Sequence, residues 1–285
     1  MQIAGHEIVI DGKFPKIARL ADEWYEDVID PESLRKRLLE EKINADIFSF
    51  WQRMPDIEPL FDYYREWEYI AALPIKSYDH WWKTKIKSRT RGLVRKALKR
   101  GIVIRECEYD DEFVKGMTDI FNETPIRQGK PFWHFGKDFD TVKREFSRYL
   151  FRESLIGAFY EGELIGFVML ADAGKFALPG QIISKIQHRN KAPNNALIAK
   201  VVEICDQRKI PYLIYFYWGD GNLSEFKRRC GFEKIGLPRY YIPLNLNGRM
   251  AMKMKLHHGI KGVLPDNMIS VLKNIRKSWN NRKSS

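Results

Sequence analysis

Two short apolar runs, residues 155–160 and 163–170, flank the dipeptide Glu161-Gly162. Runs of that length around two residues that accept a left-handed backbone predict a β-hairpin. Elsewhere the period lengthens. Residues 88–100 place Leu93, Val94, Ala97 and Leu98 on one stripe, with Ser88 as candidate cap and Gly101 as stop, and predict a helix. Residues 195–208 predict a second, with Leu197, Ile198, Val201, Ile204 and Cys205 inward and Pro211 beyond its end. Residues 223–230 predict a third, with Asn222 and Glu225 in capping-box register and Gly231 as the stop. Around these fall strands predicted over 102–106, 177–187, 212–218 and 240–244, helices over 111–121 and 141–151, and a loop over 122–138.

The first 80 residues read differently. Acidic, helix-like stretches cover 17–28 and 31–42, and an aromatic segment covers 47–70, broken by Pro55, Pro59 and Pro74. Its Trp51, Phe61, Tyr63, Tyr64, Trp67 and Tyr69 predict core and interdomain packing. A last helical piece is predicted over 259–277, with a tail over 278–285. The chain thus reads as a region over 1–85, a basic linking helix over 86–100, a main domain over 101–245 and a basic extension over 246–285.

Composition narrows the class. With 44% hydrophobic and 13% aromatic residues in 285, the chain has material for one large core or two modest ones, which excludes a disordered protein. No apolar run reaches about 18 residues, so no transmembrane helix is predicted, and the opening MQIAGHEIVIDGKFPK lacks a signal-peptide pattern. Cys107, Cys205 and Cys230 are odd in number, far apart and without CxxC spacing, which predicts reduced, unligated thiols and a cytoplasmic setting. His257 and His258 have no neighbouring ligand at metal spacing, so no metal is expected and both read as surface residues.

Charge is uneven. Residues 80–105 carry ten Lys/Arg and no acid, and residues 249–283 carry nine against the single Asp266. The net +12 therefore belongs to two basic patches on a mildly acidic body. Such patches attract phosphates of nucleic acid, nucleotides, glycan precursors or a membrane face, unless they are merely solvated helix faces. In the first patch Arg91/Arg95, Arg95/Lys99 and Lys96/Arg100 are like-charge pairs four residues apart, each costing roughly 0.2–0.5 kcal/mol. A bound anion would offset that repulsion, which marks Arg91, Arg95 and Lys96 as candidate phosphate contacts.

The order of elements over 101–245 resembles the GNAT acyltransferase fold, an α/β (α+β) architecture with a mixed, mostly antiparallel sheet flanked by helices. In that family a strand runs into R/Q-x-x-G-x-G/A at a helix start, where backbone amides meet the pyrophosphate of coenzyme A. The matching stretch here is Arg189, Asn190, Lys191, Ala192, Pro193 and Asn194, followed by Asn195. Ala192 and Asn194 replace both glycines, and Pro193 removes a donor. Residues 221–232, GNLSEFKRRCGF, resemble the FemABX-like branch, in which a GN…FK…G(F) segment recurs. The basic helix entering residues 101–104 resembles that branch too. The likeness spans about residues 85–245 and implies that 1–85 form a reduced GNAT-like unit or a helical cap. It also implies that Gln187, His188, the 189–195 stretch, Asn222 and Lys227 meet the acyl carrier.

Direct acyl transfer needs an attacking amine, a proton acceptor and donors for the oxyanion, but no covalent nucleophile. No Cys–His or Ser–His–Asp signature is visible. The resemblance implies that strands 177–187 and 212–218 part near Asn195 and grip the donor arm. His134, Tyr215 and Tyr217 are the candidates for proton transfer, and Asp172 for placing the acceptor. Arg127 and Lys130, either side of Gly129, are candidates to clamp an anionic acceptor. Three readings stay open. The first is an N-acyltransferase that uses acyl-coenzyme A or another carrier on an amine of a glycan precursor, sugar nucleotide or small molecule. The second is an aminoacyl-tRNA-dependent transferase. The third is a non-catalytic module binding nucleic acid or protein, for which the altered 189–194 loop argues.

Overall fold

The computed structural model describes residues 1–148 and 150–258. The helix predicted over 259–277 and the tail over 278–285 lie outside the described residues. The chain divides into two units, one of Met1–Trp67 with the part from Leu237 onward, the other of Glu68–Gly236.

The first unit opens with β1 (Gln2–Ile3), β2 (His6–Asp11) and β3 (Ile17–Leu20), followed by α1 (Pro31–Glu40) and β4 (Ile47–Trp51). The stretch 17–28, expected to be helical, begins instead as a strand. Ala18 and Leu20 alternate inward, a period of two that the acidic residues after them obscured. α1 starts where Asp30 accepts a bond from the Ser33 amide at 2.9 Å, with Pro31 in the first turn. Its Leu34 and Leu38 enter a core with Ile8, Phe48 and Phe50.

β5 (Tyr64–Pro74) carries the chain into the second unit. A single turn, α2 (Tyr78–His80), runs on as a π-helical turn over Trp81–Lys85 and leads to α3 (Ser88–Lys99). Lys87, not Ser88, is the cap of α3, and it makes no side-chain bond there. Thr90, Val94 and Ala97 face inward while Leu98 is exposed, so the buried stripe is rotated from the expected one. Gly101, at φ +83°, ends the helix in the left-handed region. There follow β6 (Val103–Cys107), α4 (Asp111–Asn122), a small hairpin of β7 (Ile126–Arg127) and β8 (Lys130–Pro131), α5 (Phe139–Phe146), β9 (Glu153–Tyr160), β10 (Glu163–Asp172) and β11 (Ala177–Ser184). A 3-10 turn over Ile186–Lys191 leads into α6 (Pro193–Gln207), β12 (Tyr212–Tyr217) and α7 (Asn222–Arg229).

Within this unit the strands lie in the order β5-β12-β11-β10-β9-β6, antiparallel throughout except for the parallel pair β11–β12. The predicted hairpin is β9–β10, with Glu161 at φ +51° and Gly162 at +84°, the two positive angles a tight two-residue turn requires. Both faces of the sheet are covered, which is why β10 is apolar without alternation. Val168 and Leu170 join Leu197, Val201 and Cys205 of α6 on one face. Phe167 and Met169 join Phe113, Met117 and Phe121 of α4 on the other.

The anticipated capping box of α7 does not form. Gly221 is the cap, Asn222 is already helical, and Glu225 pairs with Arg228 and Arg229 instead. After α7, β13 (Glu233–Pro243) returns the chain to the first unit, where α8 (Leu246–Lys253) follows. There β13 pairs antiparallel with β4, Tyr240 opposite Phe50, giving the order β1-β2-β3-β4-β13. The first unit is therefore strand-rich rather than a helical cap. Among the described residues no helix is long and apolar enough to cross a membrane.

Candidate active site

β11 and β12 are matched at Ala177 and Leu213 alone. Beyond that pair β11 follows β10 as far as Ser184, and β12 follows β5 as far as Tyr217. The facing edges consequently carry main-chain groups with no ladder partner. The divergence has a local cause in β12, whose register against β5 shifts between Ile214 and Tyr217 and whose Phe216 sits at φ +48°. Asp172 is opposite Ala177 on β10, at the closed end of the gap, and its carboxylate accepts from the Gly174 amide at 2.7 Å. That geometry commits Asp172 to its turn rather than to the open mouth.

Lys227 stands at the other end. On α7 Asn222, Leu223, Arg228 and Arg229 are exposed, but Lys227 points inward, with only 3% of its surface accessible. Its Nζ donates to the Tyr217 carbonyl at 2.7 Å and lies 4.7 Å from the Tyr215 ring. Burial lowers its pKa to about 8. Burial likewise raises the Tyr215 phenol, with the nearby Cys230 adding to the effect. Tyr217 keeps its ring exposed. The structure thus gathers Lys227, Tyr215 and Tyr217 where β12 ends; Asn222 lies five residues before Lys227, exposed at the start of the same helix.

His134 is not with them. It is 1% exposed, stacks on Phe121 with ring centroids 4.3 Å apart, and has no hydrogen-bond partner on either nitrogen. An imidazole so enclosed touches no acceptor amine, so it is a core residue of the loop and not a base. Burial, helped by Lys137, lowers its pKa to about 4 from 6.5. The unfolded chain then holds more protons between those values, so stability should fall as pH drops through that window, by on the order of 3 kcal/mol at its foot. His134→Phe is expected to flatten this part of the pH–stability profile in denaturant titrations; an unchanged slope would show that another group sets it.

The loop before α6 is built around Glu123. Its carboxylate accepts from the Ile186 amide at 2.6 Å, the Gln187 amide at 3.0 Å and Arg127 Nη2 at 3.0 Å. Arg127 also donates to the Ser184 carbonyl at 2.9 Å and the Ile120 carbonyl at 2.8 Å, so it is largely occupied by structure. Lys185 and His188 both reach Glu163. Arg100 donates to the Asn190 carbonyl at 3.0 Å, and Lys191 lies over the Tyr160 ring. Ala192 adopts φ +60° as the cap of α6, Pro193 follows, and the Asn195 amide returns to Ala192 at 3.2 Å. Glu123 thus holds two amides of this turn, and side chains stand at both glycine positions of the family pattern. These residues do not fit a coenzyme A pyrophosphate. Ala192→Gly should relieve the left-handed strain, raising stability by roughly 0.5 kcal/mol after the flexibility of glycine is offset; equilibrium unfolding measures it.

Beside this loop lies a cavity of about 310 Å³, lined by Arg127, Trp133, Gln181, Ser184, Arg189 and Asn194 among others. Asn194 Oδ1 is buried and accepts no bond. Gln181 and Trp133 escaped the sequence reading. The signals were a lone side-chain amide in a mostly apolar strand and a tryptophan beside His134, which the structure leaves 74% exposed. Lys130 is exposed on β8. On α3, Arg91 donates to the Trp82 and Ile86 carbonyls at 3.0 and 2.9 Å, which takes it out of the exposed basic row, while Arg95 and Lys96 remain in it. His257, read as a surface residue, is buried.

No family model and no curated protein matches the chain. Solved structures do. FemX superimposes with a TM-score of 0.61 at 13% identity, covering 87% of this chain and 86% of its own. L-PGS from Bacillus licheniformis gives 0.56 at 12% identity, covering 87% and 85%. The C-terminal domain of a putative lysylphosphatidylglycerol synthetase from Agrobacterium fabrum gives 0.54 at 12% identity, covering 87% and 84%. The fold is GNAT-like, of the FemX type.

Proposed function

We propose that the protein is an acyl- or aminoacyltransferase that holds an activated carrier in the gap between β11 and β12 and delivers its acyl group to an amine. The parting of those strands after a single matched pair carries this reading. A donor carbonyl laid along the unpaired edge meets main-chain N–H groups, and the Lys227 ammonium adds positive charge at the mouth, so negative charge on the carbonyl oxygen is stabilised as the amine attacks. The new C–N bond forms, the ester or thioester bond breaks, and the amine proton leaves with the departing carrier.

For the donor, the basic row favours aminoacyl-tRNA. Arg89, Arg95, Lys96, Lys99 and Arg100 of α3 and its cap are exposed, with no carboxylate partner among the described residues, and Arg100 ties the row to the 189–191 loop. A polyanion matches such a row better than a small carrier does. The acceptor is an amine of a glycan precursor, sugar nucleotide or small molecule. Full-length protein incubated with radiolabelled aminoacyl-tRNA and pooled amines should release label into the amine fraction. Label arriving only from acyl-coenzyme A would move the donor assignment, and none from either would leave a binding module.

A further inference from the structure

A second cluster lies in the first unit and does not depend on the transferase reading. Glu66 is near the start of β5, and His257 and His258 follow α8, some 191 residues later in sequence. His257 Nε2 lies 3.0 Å and His258 Nε2 2.9 Å from Glu66 Oε1, and the Tyr64 hydroxyl donates to the same oxygen at 2.8 Å. His258 Nε2 is also 2.8 Å from Oε2. One ligand atom from each of Glu66, His257 and His258 falls within 4.8 Å of the others. The His257 side chain is 0% exposed, whereas those of Glu66 and His258 are 26% and 39% exposed, so the cluster is anchored on one side and open to solvent on the other.

Both imidazoles turn Nε2 to the same carboxylate, and as neutral rings both must hold their protons there to bond it. A cation between the three groups suits the same convergence, because both neutral imidazoles then present Nε2 lone pairs to it and the carboxylate supplies the charge. Two ring nitrogens with one carboxylate suit a transition metal rather than magnesium or calcium. Around zinc, bonds of about 2.0–2.2 Å place tetrahedral ligand atoms about 3.3 Å apart, a few tenths of an ångström wider than the two imidazole–carboxylate contacts here. We propose that Glu66, His257 and His258 bind one divalent transition-metal ion, zinc foremost, with the fourth position open to water and Tyr64 holding the carboxylate.

The test uses the full chain freed of metal by chelator. Isothermal titration with Zn²⁺ should give one site per chain, uncontested by excess Mg²⁺. His258→Ala, which removes an exposed ring, and Glu66→Gln, which keeps an acceptor but not the charge, should each weaken that site by at least about tenfold. Melting of the His258→Ala protein in chelator should match the parent, which separates loss of a ligand from loss of the fold. No stoichiometric binding by the parent, or equal affinity in both variants, overturns the site.

Discussion

Replacing Lys227 by methionine is expected to lower acyl transfer by about 10²–10³-fold, the range found when a single donor to a developing oxyanion is removed. The effect should fall on kcat more than on KM, because the charge matters most when the carbonyl oxygen becomes negative. Lys227→Arg tests the alternative that bulk alone matters. Arginine keeps the charge but spreads it over a planar fork in a pocket already filled by the Tyr215 ring and the Tyr217 carbonyl, so partial recovery is expected. The parent should also lose turnover as pH rises through about 8, where the buried ammonium gives up its proton. Stability moves the other way. A base whose folded pKa lies below its unfolded one binds fewer protons when folded, so folding gains as pH climbs from about 8 towards the unfolded value. Opposite slopes in rate and stability over one window distinguish a working charge from a structural strut. Turnover within threefold of the parent in Lys227→Met would sink the role.

The parts of the fold that the sequence announced are those whose signals are local. Glu161 and Gly162 specify their turn by backbone angle alone, and α6 carries its stripe within fifteen residues. The parting of β11 and β12 was legible only through family resemblance, since nothing in the composition of either strand requires it. Other features depend on distant partners. β3 was hidden because its alternation lasts four residues and acidic neighbours outweighed it. The strand predicted over 240–244 is the second half of β13, which pairs with β4 some 190 residues earlier, and the first half, from Glu233, went unpredicted. His134 looked available because it lies in a long predicted loop; only the packing of Phe121, Phe132 and Phe146 around it reveals the enclosure. The Glu66 cluster has no sequence period at all, because its members meet through the return of the chain to its first unit.

Changing Arg95, Lys96 and Lys99 together to glutamine should weaken tRNA binding by roughly 10²-fold near physiological salt and reduce the slope of log affinity against log salt by about 2–3, close to one for each phosphate no longer neutralised. The same triple change breaks all three like-charge pairs of α3, each costing roughly 0.2–0.5 kcal/mol, so the helix should become slightly more stable. The two predictions point in opposite directions, and that makes the experiment decisive. A protein that binds RNA less tightly while melting at an equal or higher temperature is missing a binding surface and not its fold. Filter binding across a salt series supplies the slope, and a melting curve on the same sample supplies the control. If affinity and slope both survive, the repulsion stored along α3 has some other counter-charge, and the choice of aminoacyl-tRNA over a smaller carrier loses its support while the gap between β11 and β12 keeps its own.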